Sequence, residues 1–248
     1  EATYGRHVAN VIAIGGGTGC GKTTIVSDMI AHDAYTLGIP TCVFHSEQLP
    51  QETAKRLAGM VEGKLLHLPD SNQEDLAKAI EKLDQQGNLY LYNDEEDFSW
   101  ESIRDNARYV HYAFGVTSFY LDNLTALASH ADDERRFLDG LMKDIESFAK
   151  DTGTIWHIVS HLATPAGTPH EEGGRVMARH FRGSRAIQSW CHFMWGLERN
   201  QQAEDPDEQL VMRMRCLKDR LTGKATGQVF PLMFSESQGK YLEDTTGD

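Results

Sequence analysis

Short apolar runs alternate with longer segments of helical period along most of the chain. Three segments have the helical period, residues 22–34, 72–85 and 132–153. The second would begin with a capping box of Ser71 and Glu74, and the third would end at Gly153. The runs that predict strands are NVIAIGG, PTCVFHSE, NLYLYND, VTSFYLDNL, TIWHIVSHL, FMWGLERN, QLVMRMRCLK and QVFPLMF.

This order of elements is typical of an α/β protein. Near-continuous apolar strands that alternate with helices indicate a mainly parallel sheet covered by helices on both faces. The last three strands have little helix between them, which predicts an antiparallel extension at one edge. No linker divides the sequence, so we expect residues 1–248 to form a single domain. Because the first residue is a glutamate, we expect this domain to be part of a longer chain.

Composition narrows the classes of protein further. Hydrophobic residues make up 40% and charged residues 25% of the 248 positions, which excludes a disordered chain. No apolar stretch approaches the roughly 18 residues of a membrane span, and the four scattered cysteines favour a reducing cytosol. A net charge of −13 ordinarily argues against nucleic acid, but a ring or groove can concentrate the basic residues on one surface.

Residues 16–23, GGTGCGKT, fit the phosphate-loop pattern G-x-x-x-x-G-K-S/T between a predicted strand and a predicted helix. Glycines allow backbone N–H groups to turn towards a β-phosphate, and Lys22 brings a charge to the β and γ oxygens. The Thr23 hydroxyl can ligate Mg²⁺. The residues expected to contact a nucleotide here are Gly16, Gly17, Thr18, Gly19, Cys20, Gly21, Lys22, Thr23 and Thr24.

Two carboxylates are candidates for nucleotide hydrolysis. Asp122 ends the strand SFYLD, where its side chain would hold Mg²⁺ together with Thr23. Glu47 follows the strand after the first helix, from which a carboxylate can reach a γ-phosphate and deprotonate water.

His161 ends the strand TIWHIVSH and could contact the γ-phosphate. The segment after it, residues 163–181, is longer than an ordinary connection, and such loops are often functional. We call it the central loop. Arg175, Arg179 and Arg182 lie in or just beyond this loop, where they could bind polynucleotide phosphates.

Lys218 and Arg220 lie far from the phosphate loop in sequence. They could complete the active site of a neighbouring subunit, since an arginine supplied in trans stabilises a transferring phosphoryl group. Simple surface charge is the alternative for this pair.

Several motifs together resemble the helicase half of phage primase–helicases. They are ETAKRLAGM, LDNL, IVSHL, HEEGGRV, FRGSRA, LERNQQ, CLKDRLTG and FSESQGKYLE, in that order, and they extend to the end of the chain. The bacterial replicative helicase DnaB and the mitochondrial helicase Twinkle are more distant relatives. The resemblance implies a RecA-like core that assembles as a homo-hexamer around single-stranded DNA and unwinds duplex DNA 5′-to-3′ with ATP or dTTP.

The resemblance also implies residue roles. Glu47 would be the catalytic base, Asp122 the metal ligand, and His161 the link from the γ-phosphate to the DNA loop. Arg220 would be the trans-acting arginine finger, with Lys218 beside it. The residues expected to sandwich the base are Arg199 and Phe234.

The resemblance leaves some choices open. The central loop has no lysine, so DNA contact would fall to Arg175, Arg179 or backbone N–H groups. Polymerase and primase are the expected protein partners, and no membrane is expected to take part. The setting would be the cytoplasm of a phage-infected bacterial cell or, for a Twinkle-like protein, the mitochondrial matrix.

Two other classes remain as alternatives. One is a RecA-type recombinase or signalling ATPase that binds a polymer or protein without unwinding. The other is a P-loop kinase, which would lack both the trans arginine and the long loop after the histidine strand. A recombinase would lack LERNQQ and CLKDR.

Overall fold

A computed structural model describes residues 3, 5–93, 98–129 and 131–243. The strands are β1 (Val11–Gly16), β2 (Thr41–His45), β3 (Leu89–Leu91), β4 (Ser118–Asp122), β5 (Ile155–His161), β6 (Phe193–Arg199), β7 (Val211–Asp219), β8 (Val229–Ser235) and β9 (Lys240–Glu243). The α-helices are α1 (Lys22–Ala31), α2 (Pro50–Glu62), α3 (Gln73–Asp84), α4 (Trp100–Phe114), α5 (Leu124–Leu127), α6 (Glu134–Thr152), α7 (Ser184–Trp190) and α8 (Pro206–Leu210).

The chain forms two compact units. The first takes in the chain up to Lys22, then Asn123–Met233 and Glu243. In it β1 lies between β5 and β6 and is parallel to both, while β7 and β8 continue the sheet antiparallel. This register puts Gly16 opposite His161, so the phosphate loop begins beside the tip of β5.

The second unit comprises Thr23–Asp122 and Phe234–Leu242. Its strand β2 lies between β3 and β4, and all three are parallel. His45 at the end of β2 is opposite Asp122 at the end of β4. Polar side chains at the carboxyl ends of these two strands are therefore neighbours.

Helix α6 shows how the apolar period builds the core of the first unit. It packs on β1 and β5 through one face that is fully buried. Phe148 on this face meets the buried Trp156 of β5 edge-to-face, with ring centroids 5.5 Å apart. Burial of two aromatic side chains stabilises the folded state by several kcal/mol, at about 25 cal/mol per Å² of apolar surface.

All eight predicted strands are present, and the parallel arrangement with an antiparallel extension is confirmed within the units. Asp94 of the third predicted strand lies outside the described residues. Several predicted boundaries were wrong. Helix α1 stops at Ala31 and passes into a π-helical turn, His32–Thr36, in which the buried Asp33 accepts hydrogen bonds from Ser118 and Tyr120. The start of the seventh predicted strand belongs to α8 instead, which Asp205 caps at Asp207 N.

Helices α2, α4, α5 and α7 and strand β9 were not predicted. Leu57 and Ala58 of α2 and Ile103 and Ala107 of α4 are fully buried, so each helix does have an apolar face. The family motif ETAKRLAGM proves to be part of α2. Among the described residues no helix is long and apolar enough to cross a membrane.

The predicted capping box at Ser71 is wrong. Helix α3 is capped by Asn72, whose Oδ1 accepts from the backbone N–H groups of Glu74 (2.9 Å) and Asp75 (3.0 Å). The Ser71 hydroxyl instead donates to the Leu66 carbonyl, which closes the preceding turn. An asparagine is at least as good an N-cap as a serine, and the turn decides which of the two is free to serve.

Asn72→Ala should lower the free energy of unfolding by about 1 kcal/mol, because two helix N–H groups lose their acceptor. Asn72→Asp keeps an acceptor oxygen and is the matched control. Urea denaturation followed by circular dichroism measures both variants. Equal midpoints for the alanine and aspartate variants would show that Asn72 does not cap the helix.

Candidate nucleotide site and central loop

The phosphate loop continues β1 through a turn that needs glycine. Gly19 and Gly21 have φ values of +71° and +98°, which residues with a Cβ rarely adopt. Lys22 at the start of α1 donates from Nζ to the carbonyl oxygens of Gly16 (2.9 Å) and Gly17 (2.8 Å). The backbone turn and the ammonium group required for a phosphate are thus present within the first unit.

Cys20 fills the inside of this turn. A Cβ on Gly16 would lie 2.4 Å from its Sγ, so a larger residue at Gly16 would displace the thiol. Burial raises the pKa of Cys20, although Lys22 acts in the opposite direction. The thiol is therefore neutral at physiological pH and serves as packing, while the backbone of the loop is left to bind phosphate.

Metal-site candidates lie in the second unit. Thr23 and Thr24 are half-buried in the first turn of α1, and Asp122 ends β4. His45 Nδ1 is 3.6 Å from Asp122 Oδ2. Burial, assisted by Arg56, lowers the pKa of His45 to about 4, so its imidazole is neutral at pH 7. His45 consequently adds no positive charge that would compete with a cation for the Asp122 carboxylate.

The donors fit Mg²⁺, which prefers oxygen ligands and commonly keeps only one or two from the protein beside substrate phosphates and water. A threonine hydroxyl and an aspartate carboxylate would be that minimal protein set. Among the described residues no group of three or more His, Cys, Asp or Glu side chains could hold a metal by itself. The assignment of Thr23 and Asp122 as ligands stays a prediction.

Glu47 lies two residues beyond β2 and is exposed. It lines a cavity of about 280 Å³ together with His45, Tyr92 and Phe98. The backbone N–H of the intervening Ser46 donates to the carbonyl of Asp122 (2.7 Å), which fixes the start of this turn beside β4. Glu47 therefore borders a cavity in the turn that follows β2, and its role as a base stays a prediction.

His161 has a partner that the sequence did not reveal. Asn123, directly after Asp122, donates from Nδ2 to His161 Nε2 at 3.1 Å. Asn123 is buried, and its Oδ1 accepts from Ala126 N and Thr125 Oγ1, so it also caps α5. Its motif LDNL was visible in the sequence, but only the capping turn shows which way the amide faces.

The central loop has two different halves. An antiparallel bridge between Leu162 and Phe181 closes its base. Residues 163–169 are mostly exposed, whereas His170, Gly174 and Val176 are buried. The predicted long loop is therefore only partly a surface segment.

The three arginines assigned to DNA are all exposed around this loop. Arg175 follows Gly174 in the buried half, and Arg179 lies in a short 3-10 helix, Ala178–His180. Arg182 donates from its backbone N to the His161 carbonyl at 3.0 Å. Their guanidinium groups are available to phosphates, and a DNA contact remains a prediction.

Lys218 and Arg220 lie together at the end of β7. Lys218 Nζ donates to the carbonyls of Cys191 (2.7 Å) and Gln188, and Arg220 Nη2 donates to Ser189 O at 3.1 Å. These carbonyls belong to the C-terminal end of α7, which is the favourable end of a helix for cations. Burial, with Arg220, lowers the pKa of Lys218.

The two residues predicted to sandwich a base lie in different units. Arg199 ends β6 in the first unit, and its Nε donates to Gln209 O at 2.6 Å. Phe234 lies in β8 in the second unit, with its ring centroid 5.3 Å from that of Tyr241. The sandwich itself stays a prediction.

The chain is similar to known proteins in both sequence and fold. The DNA helicase/primase of Enterobacteria phage T3 is 26% identical over 257 residues, covering 97% of this chain and 45% of its own length. The chain thus spans about half the length of this curated relative.

Two solved structures share the fold. An ATPase domain superposes with a TM-score of 0.75 at 17% identity, covering 98% of this chain and 87% of its own. A DnaB-like replicative helicase, solved in a study of its interactions with primase, gives 0.74 at 16% identity, covering 97% and 60%. These likenesses confirm the RecA-like α/β fold that the sequence predicted.

A family model described as the DnaB-like helicase C terminal domain matches residues 1–241. This match confirms the resemblance carried by LERNQQ, FRGSRA and the other motifs. The protein belongs to the DnaB-like helicase C-terminal domain family.

Proposed function

We propose that the chain is the motor of a replicative DNA helicase, which hydrolyses ATP or dTTP to move 5′-to-3′ along single-stranded DNA and unwind a duplex as a homo-hexameric ring. Membership of the DnaB-like helicase family supports the enzyme class. The choice of nucleotide, the direction of movement and the hexameric ring go beyond this family membership and are part of the proposal.

One observation carries the proposal: His161 lies between the phosphate loop and the base of the central loop. Its strand position is beside Gly16 of the phosphate loop, and its side chain accepts from Asn123. Its carbonyl accepts from Arg182, where the chain leaves the central loop. A change in how His161 is held would therefore move the base of the loop directly.

The proposed chemistry uses the chain's own groups. The phosphate-loop N–H groups and Lys22 would hold the phosphates, and Thr23 and Asp122 would hold Mg²⁺, which would neutralise phosphate charge when bound. Glu47 would take a proton from the attacking water. Arg220 of one subunit, with Lys218, would stabilise the charge that develops on the neighbour's γ-phosphate.

The comparisons suggest partners and setting. The solved DnaB-like helicase interacts with a primase, so we propose that a primase also meets this protein. The T3 relative favours the cytoplasm of a phage-infected bacterium over a mitochondrion as its setting. A polymerase partner stays a prediction.

Single-stranded DNA should stimulate nucleotide hydrolysis several-fold. DNA that binds to the central loop would shift His161, which is expected to contact the γ-phosphate. Phosphate release from ATP and from dTTP, with and without oligo(dT), measures this effect. Duplex DNA without a tail is the control. Hydrolysis that is indifferent to single strands would contradict the helicase motor and favour another kind of ATPase.

A strand-displacement assay on forked DNA substrates of both polarities, one with a 5′ and one with a 3′ loading tail, tests the direction of movement. Light scattering on the same sample gives the number of subunits. Displacement only from the 5′-tailed fork, by a six-subunit species, is expected. DNA-stimulated hydrolysis without displacement from either fork would support a recombinase-like protein instead.

A further inference from the structure

We propose that Gln201 is a positioning residue that couples the phosphate loop to the central loop. The inference rests on the proposed function, because coupling has a consequence only if the central loop binds DNA. It describes a second connection, separate from His161, and all of its contacts lie within the first unit.

The Gln201 side chain holds the phosphate loop at one peptide. Its Nε2 donates to the Thr18 carbonyl at 2.9 Å. It also lies against Gly19, where a Cβ would be 2.8 Å from Gln201 Oε1. In a trans peptide the C=O and N–H bonds point in opposite directions. Holding the Thr18 carbonyl towards Gln201 therefore turns the Gly19 N–H away from Gln201 and fixes its direction.

The Gln201 backbone holds the central loop at the same time. Its N–H donates to the Glu171 carbonyl at 3.0 Å. The adjacent pair, Asn200 and Glu172, forms an antiparallel bridge. One residue therefore contacts both loops, through its side chain on one and its main chain on the other.

A second hydrogen bond attaches this part of the central loop to β6. The backbone N–H of Val176 donates to Glu198 Oε1 at 2.9 Å. Glu198 is buried and accepts two hydrogen bonds from Arg215, at 2.7 and 2.9 Å. Removing one partner from a buried pair of this kind is strongly destabilising, so residues 171–176 and the end of β6 should move as one piece.

The two loops also contact each other directly. A Cβ on Gly17 would lie 2.6 Å from His170 Cβ, so the His170 side chain packs on the phosphate loop with no space between them. His170 is 5% exposed. A rotation of the Thr18–Gly19 peptide on phosphate binding would thus be transmitted by Gln201 to a segment already in van der Waals contact with the loop.

The test measures how strongly nucleotide and DNA binding depend on each other. Such coupling is reciprocal, so it appears as the ratio of the Kd values for fluorescein-labelled oligo(dT) without and with nucleotide. The β,γ-methylene analogues of ATP and dTTP would serve as nucleotide, which separates binding from turnover. The full chain is used throughout.

Gln201→Met keeps the shape of the side chain but removes its donor, and Gln201→Ala removes both. Gln202→Ala is the matched control, because Gln202 is exposed and only its backbone N–H donates to the side chain of Asn200. We expect the nucleotide to tighten oligo(dT) binding about tenfold in the unaltered chain and in the control. In both Gln201 variants the ratio should fall to near one, with the Kd measured without nucleotide unchanged.

Two results would overturn different statements. If the unaltered chain does not bind oligo(dT), the proposed function fails. If the unaltered chain shows the ratio and Gln201→Met retains it, the Gln201 inference fails and the proposed function stands. Melting temperatures equal to that of the control would show that the variants are folded, as expected for a side chain that is not buried.

Discussion

Replacing Arg220 by alanine should lower kcat for nucleotide hydrolysis by about 10³-fold or more, while nucleotide binding changes little. An arginine finger stabilises charge that exists only in the transition state, so its loss appears in kcat. Arg220 is exposed and is bonded through Nη2 to Ser189 O, at the end of α7. Steady-state phosphate release and equilibrium binding of a fluorescent nucleotide separate the two effects.

Arg213→Ala is the control for this variant. Arg213 lies on the same strand, β7, and forms a half-exposed ion pair with Glu208 that should contribute little to stability. Mixing Arg220→Ala chains with Glu47→Gln chains should restore part of the activity if the finger acts in trans. Each mixed interface that joins an intact Glu47 to an intact Arg220 can then turn over. The absence of rescue at every mixing ratio would contradict action in trans.

Glu47→Gln should reduce hydrolysis by about 10² to 10⁴-fold and leave nucleotide bound. The amide keeps the size of the side chain at the rim of the cavity but cannot accept a proton from water. Glu52→Gln, five positions further on, is the control, since its carboxylate forms an exposed pair with Lys55. Single-turnover hydrolysis measures the chemical step, and a Glu47→Gln chain that hydrolyses at the unaltered rate would remove Glu47 from the mechanism.

The two predictions together distinguish a base that belongs to the subunit from a charge that its neighbour supplies. Both variants should bind nucleotide, because Lys22 and the phosphate-loop backbone are untouched. Only the finger defect can be rescued by mixing with chains that carry a different defect. Loss of nucleotide binding in both variants would instead show that the substitutions disturb the fold.

Local features were predictable from the sequence. The phosphate loop was found because its chemistry needs glycines and a lysine at fixed spacing within eight residues. Asp122 and His161 were found because a strand pattern fixes where a strand ends, and the carboxyl ends of parallel strands are where side chains meet ligands. The motifs from ETAKRLAGM to FSESQGKYLE, taken in order, indicated the family.

Boundaries and caps were less predictable, because several local solutions compete. Ser71 and Asn72 are both good N-caps, and the choice depends on the hydrogen bond from Ser71 to Leu66. Just beyond the end of α1, Asp33 accepts hydrogen bonds from Ser118 and Tyr120, which lie more than 80 residues away. No spacing rule could have revealed either result.

The sequence by itself determined the class of fold, the phosphate loop, the candidate carboxylates Glu47 and Asp122, and the family. Each of these depends on short-range spacing or on the order of motifs. Only the tertiary structure decided how the loops are held. Gln201 and Thr18 are 183 positions apart, and His161 and Asn123 are 38 apart. Hydrogen bonds of this kind depend on strand register and on backbone turns, so they exist only once the chain has folded.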